Sequence, residues 1–170
     1  MKGFKLSILA VLAFCNLSNA LNPTSSPLNK IFSKLYPAGS GESISWGVLK
    51  TPTKQTNLSE DERARRREAA AKDLVNIDDE ERARRRVAGQ VLTVVTCAVA
   101  AALPLAHVGF GARVAAEFPL AFLAKGYLGS AKQGLWNIAQ AGVWDVDGSG
   151  FQKIEDESLA SAILDKVRSS

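Results

Sequence analysis

The chain has 170 residues, 46% of them hydrophobic, which leaves room for one modest domain together with targeting and membrane segments. Its formal net charge of +4 at first suggests a nucleic-acid-binding protein, but the basic excess lies in residues 1–58, where six lysines accompany one acid. The two cysteines, Cys15 and Cys97, both fall in apolar runs, which excludes a disulfide framework.

Residues 1–20 have the pattern of a secretory signal peptide. Lys2 and Lys5 form a basic start, an apolar run follows, and Ala20 ends a short stretch of small and polar residues suited to cleavage. The apolar run is about ten residues long, too short to span a bilayer. We therefore predict that residues 1–20 are a cleaved signal.

Residues 21–58 are rich in Ser, Thr and Pro and contain one acid, Glu42, which predicts a transit-like or disordered segment. A signal peptide followed by such a segment resembles the bipartite presequence of plastid proteins in algae with secondary plastids of red-algal origin. In those presequences an aromatic residue or Leu follows the signal, and Leu21 occupies that place here. The resemblance implies a plastid address; the alternative is secretion or residence in the endomembrane system.

Residues 59–86 form a charged region with a repeated arginine block, "DERARRR" and then "EERARRR". Ser59 and Asp78 are placed as helix N-caps, each with a Glu three residues later. Acids also precede arginines by four residues, which pairs them on one helix. The pattern predicts a charged helical hairpin, and the expected ion pairs are Glu62 with Arg66, Glu80 with Arg84, and Glu81 with Arg85.

The charge count of this region argues against a nucleic-acid partner. Between residues 59 and 86 nine basic residues accompany nine acids, so the segment is neutral. Binding to phosphates requires a basic excess that releases counterions. The sequence therefore predicts a solvated, self-neutralised region.

Residues 87–112 carry no formal charge and are long enough to cross a bilayer as a helix. Pro104 would kink or end that helix, and the arginines before Val87 would hold its beginning on the stromal or cytoplasmic side. Two alternatives remain. One is a twin-arginine signal cleaved before Glu117, which would leave a lumenal product, and the other is a buried Ala-rich helix in a soluble bundle.

Residues 114–129 are apolar but interrupted by Glu117, Pro119 and Lys125, which predicts a short interfacial or packed helix rather than a second span. His107 is the one histidine, so it has no partner for a metal site or a catalytic triad. We interpret it as an interfacial or hydrogen-bonded residue.

The segment "WDVDGSGFQKIEDES" resembles a degenerate single EF-hand loop between two helices. The positions that would coordinate Ca²⁺ are Asp145, Asp147, Ser149, Phe151 through its carbonyl, and Asp156, with Gly150 at the turn. Lys153 and the shorter Asp at the last position depart from the motif. The alternative is a turn whose carboxylates cap the following helix.

Together these patterns predict a mainly α protein. It would combine the charged hairpin, one membrane-spanning or buried Ala-rich helix, and a helix-loop-helix within residues 113–170. No catalytic motif is evident, so we expect a non-catalytic, membrane-anchored accessory subunit in a plastid thylakoid membrane. The presequence resemblance implies that its complex is photosynthetic. Its partners would be membrane lipid and other membrane subunits, and Ca²⁺ is the one cofactor that the residues suggest. The alternative function is a soluble or lumenal Ca²⁺-binding module.

Overall fold

The computed structural model describes residues 27–53 and 58–170, so the signal predicted at 1–20 lies outside the described residues. Within those ranges the fold is mainly helical, as predicted, and contains one long apolar helix. The five α-helices are α1 Pro27–Leu35, α2 Glu60–Asp73, α3 Asp79–Leu105, α4 Phe110–Gln133 and α5 Glu157–Arg168. Strands β1 Glu42–Ser45 and β2 Leu49–Pro52 form one antiparallel hairpin, and β3 Val143–Trp144 and β4 Gln152–Lys153 form another.

The segments that precede α3 and follow α4 pack together into a compact head. One cluster packs Ala70 of α2 against Leu135, Trp144 and Ile163. The adjoining cluster is formed by side chains that are all nearly inaccessible to solvent, namely Ile44, Ile77, Ile138, Val143 and Phe151. Segments before α3 and after α4 therefore share one core.

Residues 27–53 fold onto this head, which differs from the disordered segment that their composition favours. Ile44 in β1 is 1% exposed, and the Tyr36 ring packs edge-on against Phe151 with centroids 5.5 Å apart. The Phe151 amide donates to the Glu42 carbonyl at 2.8 Å, so β1 lies directly on the 145–151 loop. An added Cβ at Gly150, whose φ is +91°, would lie 2.4 Å from that carbonyl, so the contact requires glycine.

The helix caps and intrahelical pairs follow the local sequence rules. The Ser59 side chain accepts from the Glu62 amide, and Asp78 accepts from the Glu81 amide. All three expected pairs form, with nitrogen to oxygen distances of 3.3 Å for Arg66 and Glu62 and 2.7 Å for each of the other two. These predictions are confirmed. The sequence suffices for them because caps and i,i+4 pairs join residues three or four positions apart on one helix.

Helices α3 and α4 pack against each other as a long antiparallel hairpin that projects from the head. Helix α3 runs without a break from the arginine block through the apolar residues and ends just after Pro104, close to the predicted position. Helix α4 is 24 residues long and continues through Pro119, so the short, broken helix predicted for this segment is wrong. Packing against α3 supports the helix where its own sequence is weak.

Gly89 is the point of closest approach between α3 and α4. A Cβ at this residue would lie 2.7 Å from Leu128 Cγ and 3.0 Å from the Leu128 amide nitrogen. We expect Gly89→Ala to lower the free energy of unfolding by about 1–3 kcal/mol, because the helices must separate or Leu128 must leave its rotamer. Gly126→Ala is the matched control, since nothing lies within 4 Å of its added Cβ. Chemical denaturation in detergent would measure both, and equal stability of the two variants would contradict the close packing.

Candidate functional site

The α3–α4 hairpin presents an extended apolar surface to solvent. Helix α3 is, among the described residues, the one helix long and apolar enough to cross a membrane, and 6% of its most apolar window is buried. This does not fit the core helix of a soluble bundle. The large apolar side chains that are at least 40% exposed on the two helices are Val87, Val91, Val94, Val95, Leu105, Phe110, Val114, Phe118, Phe122 and Leu123.

The apolar surface is bounded by charge at the base of the hairpin. The apolar part of α3 from Val87 to Leu105 is about 28 Å long, close to the roughly 30 Å of a hydrocarbon core. At the base lie the second arginine block, residues 82–86, and Lys125 and Lys132 of α4. At the tip Arg113 donates to the Val108 carbonyl at 2.6 Å. Arginine and lysine side chains are therefore concentrated beside the head.

The tip of the β1–β2 hairpin lies beside the same base and adds aromatic and aliphatic side chains to it. Trp46 is 41% exposed and Val48 is 62% exposed. The Tyr127 hydroxyl of α4 donates to the Trp46 carbonyl at 2.7 Å, which fixes the turn to the long hairpin. Trp and Tyr are typical of the level at which a membrane meets water.

Glu81 joins this turn to the arginine block. Its carboxylate accepts from the amides of Trp46 and Gly47 at 3.0 and 2.6 Å. It also accepts from Nε of Arg84 and Nε of Arg85 at 2.9 and 2.7 Å. Glu81 and Arg85 are each 1% exposed, so the solvated pair predicted here is wrong in its environment although right in its partners.

Arg85 extends the connection from α3 to α4 and to the chain that follows α4. Its guanidinium carbon lies 4.4 Å from the centroid of the Trp136 ring, within the range of a cation–π contact. Its Nη1 donates to the Ser130 hydroxyl at 2.5 Å, and that hydroxyl donates to the Leu135 carbonyl at 2.5 Å. We call Glu81, Arg85, Ser130 and Trp136 the base clamp.

Asn76, which is fully buried, fixes the two linkers that enter and leave the long hairpin. Its side chain donates to the Trp136 carbonyl at 2.5 Å and accepts from the Trp136 amide at 2.7 Å. The backbone amide of Asn76 donates to the Gly134 carbonyl at 3.0 Å. Sequence reasoning missed Asn76, Ser130 and Trp136, because their partners are distant along the chain and no periodic pattern marks them.

Asp145 connects β1 to the loop that follows β3. Its Oδ2 accepts from the Ser43 hydroxyl at 2.5 Å and from the Ile44 amide at 2.8 Å. Burial raises the pKa of this carboxyl from 3.8 to about 6, against the opposing effect of those two hydrogen bonds, with a further increase from the nearby charges of Asp78 and Glu81. The head therefore holds a carboxylate whose charge is costly.

This raised pKa predicts a dependence of stability on pH. The folded state binds the Asp145 proton more tightly than the unfolded state, so protonation stabilises the fold. This stabilisation is fully present below pH 3.8 and is lost as the pH rises through about 6. We expect a total of about 3 kcal/mol, of which about 1 kcal/mol is lost between pH 5 and 7. Denaturation of Asp145→Asn at the two pH values should show a flatter dependence than the wild type, and unchanged slopes would contradict it.

The five residues predicted to bind Ca²⁺ lie in one stretch but are engaged in separate contacts. Asp145 accepts hydrogen bonds from β1, and the Ser149 hydroxyl donates to Asp147. The Phe151 carbonyl accepts from the Gly39 amide at 2.8 Å. Asp147 also lies 3.4 Å from Nε of Arg67. Asp156 caps α5, and the hydrogen bonds that its carboxylate accepts from the Ser158 hydroxyl and from the Leu159 and Ser158 amides lower its pKa.

The surroundings of this loop also differ from the predicted helix-loop-helix. A 3₁₀ helix, Asn137–Ala141, and β3 precede the loop, where a continuous helix was expected. Across the described ranges no group of three or more His, Cys, Asp or Glu side chains is placed to hold a metal. The calcium site stays a prediction. A Ca²⁺ titration monitored by tryptophan fluorescence would test it.

His107 lies in the turn between α3 and α4, at the tip of the hairpin. Its backbone has a φ of 57°, and its Nδ1 lies 3.0 Å from the Leu105 carbonyl oxygen. The side chain is exposed, in agreement with a hydrogen-bonded residue outside the core.

The candidate site is therefore an apolar helical hairpin with a buried polar base clamp. Comparison of this chain with models of protein families, with curated proteins and with solved structures gave no match to any of them.

Proposed function

We propose that this chain is a small, non-catalytic membrane-anchored protein that inserts its α3–α4 hairpin into a lipid bilayer and holds its head at the surface. The exposed apolar surface along both helices is the observation that carries the proposal. A soluble monomer rarely exposes a contiguous apolar surface of this kind without a membrane or protein partner.

The shared core of the head supports insertion as a hairpin and not as a single crossing. Ile77 precedes α3 and Ile138 follows α4, yet they belong to one buried cluster. A single crossing by α3 would place them on opposite sides of the membrane. On this proposal both helices enter and return on the same side, and the positive charges at the base favour the stromal or cytoplasmic side.

The same core argues against cleavage as a twin-arginine signal. Cutting before Glu117 would divide α4 and remove Ile44, Ala70 and Ile77 from their clusters. The proposal accordingly keeps α3 as part of the mature protein.

The finer proposal places the anchored protein in a plastid thylakoid membrane, as an accessory subunit beside other membrane proteins of a photosynthetic complex. It rests on the resemblance of the presequence and on no contact in the fold. The head needs Ile44 and β1, so we expect most of the transit-like segment to stay in the native protein, which would begin upstream of Pro27 and not near Ser59. Sequencing the N-terminus of protein purified from isolated thylakoids tests both points; recovery from secreted or endomembrane fractions would favour the other address.

Cysteine protection tests the insertion directly. Cys97 is exposed on α3, about 15 Å along the helix from Val87, so a water-soluble maleimide should fail to label it in vesicles. We expect full labelling after SDS is added, in a full chain carrying Cys15→Ser. Ser161→Cys, on an exposed part of α5, is the control and should label in both conditions.

Alkaline carbonate provides the second measurement. The protein should stay with the membrane pellet, because the apolar hairpin and not ionic contact holds it. Release into the supernatant together with labelling of Cys97 in vesicles would contradict insertion and favour the soluble Ca²⁺-binding alternative.

A further inference from the structure

A groove of about 640 Å³ lies where the apolar hairpin meets the head. We call it the junction groove. Its walls combine two kinds of side chain, because it sits at the boundary of the apolar surface. The lining residues that matter here are Val48, Arg85, Phe122, Leu123, Lys125 and Trp136.

Two residues that line the junction groove each carry a buried hydrogen-bond donor with no acceptor among the described residues. The donors are Nη2 of Arg85 and Nε1 of Trp136. Arg85 is 1% exposed, and its other two donor nitrogens are occupied by Glu81 and Ser130. Buried donors are nearly always paired in folded proteins, so this arrangement indicates a ligand that supplies acceptor oxygens.

The charge and apolar character of the groove narrow the ligand further. Glu81 offsets the charge of Arg85, while Lys125 is exposed at the groove and adds a positive charge. Phe122 and Leu123 are 63% and 47% exposed, and they continue the groove onto the apolar surface of α4. A ligand that matches all of these features has an anionic oxygen-bearing head and an apolar tail.

We propose that the junction groove binds the head group of an anionic membrane lipid. Its oxyanion accepts hydrogen bonds from Arg85 and Trp136, Lys125 supplies the opposite charge, and the acyl chain lies along Phe122 and Leu123. The proposal rests on insertion of the hairpin, since insertion brings the groove to the depth of the head groups. The lipid then fixes the angle between the head and the membrane.

The test uses the full chain and vesicles of phosphatidylcholine, with or without a minor fraction of phosphatidylglycerol. The protein should float with both vesicles, and native mass spectrometry after mild detergent extraction should find one retained phosphatidylglycerol. Trp136→Phe removes the donor and keeps a ring, and Lys125→Gln removes the charge. Each should reduce retention by about tenfold while flotation on phosphatidylcholine stays unchanged.

Matched variants separate the groove from general attraction to an anionic surface. Trp144→Phe removes another buried indole donor that lacks an acceptor among the described residues, but Trp144 does not line the groove. Arg86→Gln removes an exposed charge at the same level of the hairpin, also outside the groove. Both should retain the lipid as the wild type does.

The outcomes distinguish the two proposals. Failure to float on any vesicle would overturn insertion itself. Flotation without retained phosphatidylglycerol, or equal loss in the groove variants and their controls, would overturn lipid binding alone. Displacement of the lipid by millimolar inorganic phosphate would show a site for a free oxyanion and would also overturn it.

Discussion

Replacing Glu81 with alanine should lower the free energy of unfolding by about 3–5 kcal/mol, because it leaves Arg85 buried without its carboxylate partner. The variant also removes the acceptor of the Trp46 and Gly47 amides, which belong to the turn between β1 and β2. We therefore expect the loss of stability to be accompanied by release of that turn. Denaturation in detergent, followed by near-ultraviolet circular dichroism, would measure the stability.

Glu80→Ala is the matched control for this prediction. Glu80 pairs with Arg84 at 2.7 Å from the same arginine block, but its side chain is 67% exposed. Exposed pairs contribute about 0–1 kcal/mol, so the control should remain close to the wild type. Similar losses in Glu80→Ala and Glu81→Ala would mean that burial of the base clamp contributes little.

A double-mutant cycle separates the pair from the other contacts of Glu81. If Arg85→Ala is added to Glu81→Ala, the unpaired buried charge disappears, and the double variant should be more stable than the sum of the single losses implies. Additive losses would show that the Glu81 contacts to the turn, and not its ion pair, account for the effect.

The local features of this fold are the ones that the sequence predicts. Ser59 and Asp78 cap their helices, and Glu81 pairs with Arg85, since each relation spans three or four residues on a single helix. The apolar stretch after Val87 is likewise a local property. A local rule does not predict whether a pair is buried. The same arginine pattern has an exposed Arg66 in one block and a buried Arg85 in the other.

The features that position the candidate site depend on contacts between distant residues. Ser43 and Asp145 are 102 positions apart, and Asn76 and Trp136 are 60 apart. The continuity of α4 through Pro119 likewise follows from its packing against α3 and not from its own composition. Composition alone therefore favoured a single span and a disordered segment where the chain forms a hairpin and a docked β1–β2 unit.

Arginines introduced on the apolar surface should abolish membrane insertion without unfolding the head. Val94 and Phe118 are 69% and 57% exposed, so neither contributes to the core. An arginine near the centre of a membrane helix costs about 2.5–3.5 kcal/mol on an insertion scale, and the double variant Val94→Arg with Phe118→Arg should shift partitioning by at least about a thousandfold. Flotation on phosphatidylcholine vesicles measures the partitioning, and circular dichroism in solution checks the fold.

The controls for this variant separate the apolar surface from total charge and from protein partners. Ala69→Arg with Ser161→Arg adds the same charge at exposed positions of α2 and α5 and should float as the wild type does. Vesicles that contain no other protein remove any partner subunit, so failure of the wild type to float there would mean that the apolar hairpin is covered by protein instead. Flotation of the double arginine variant would place the hairpin outside the hydrocarbon core, because holding two arginines inside it costs too much free energy.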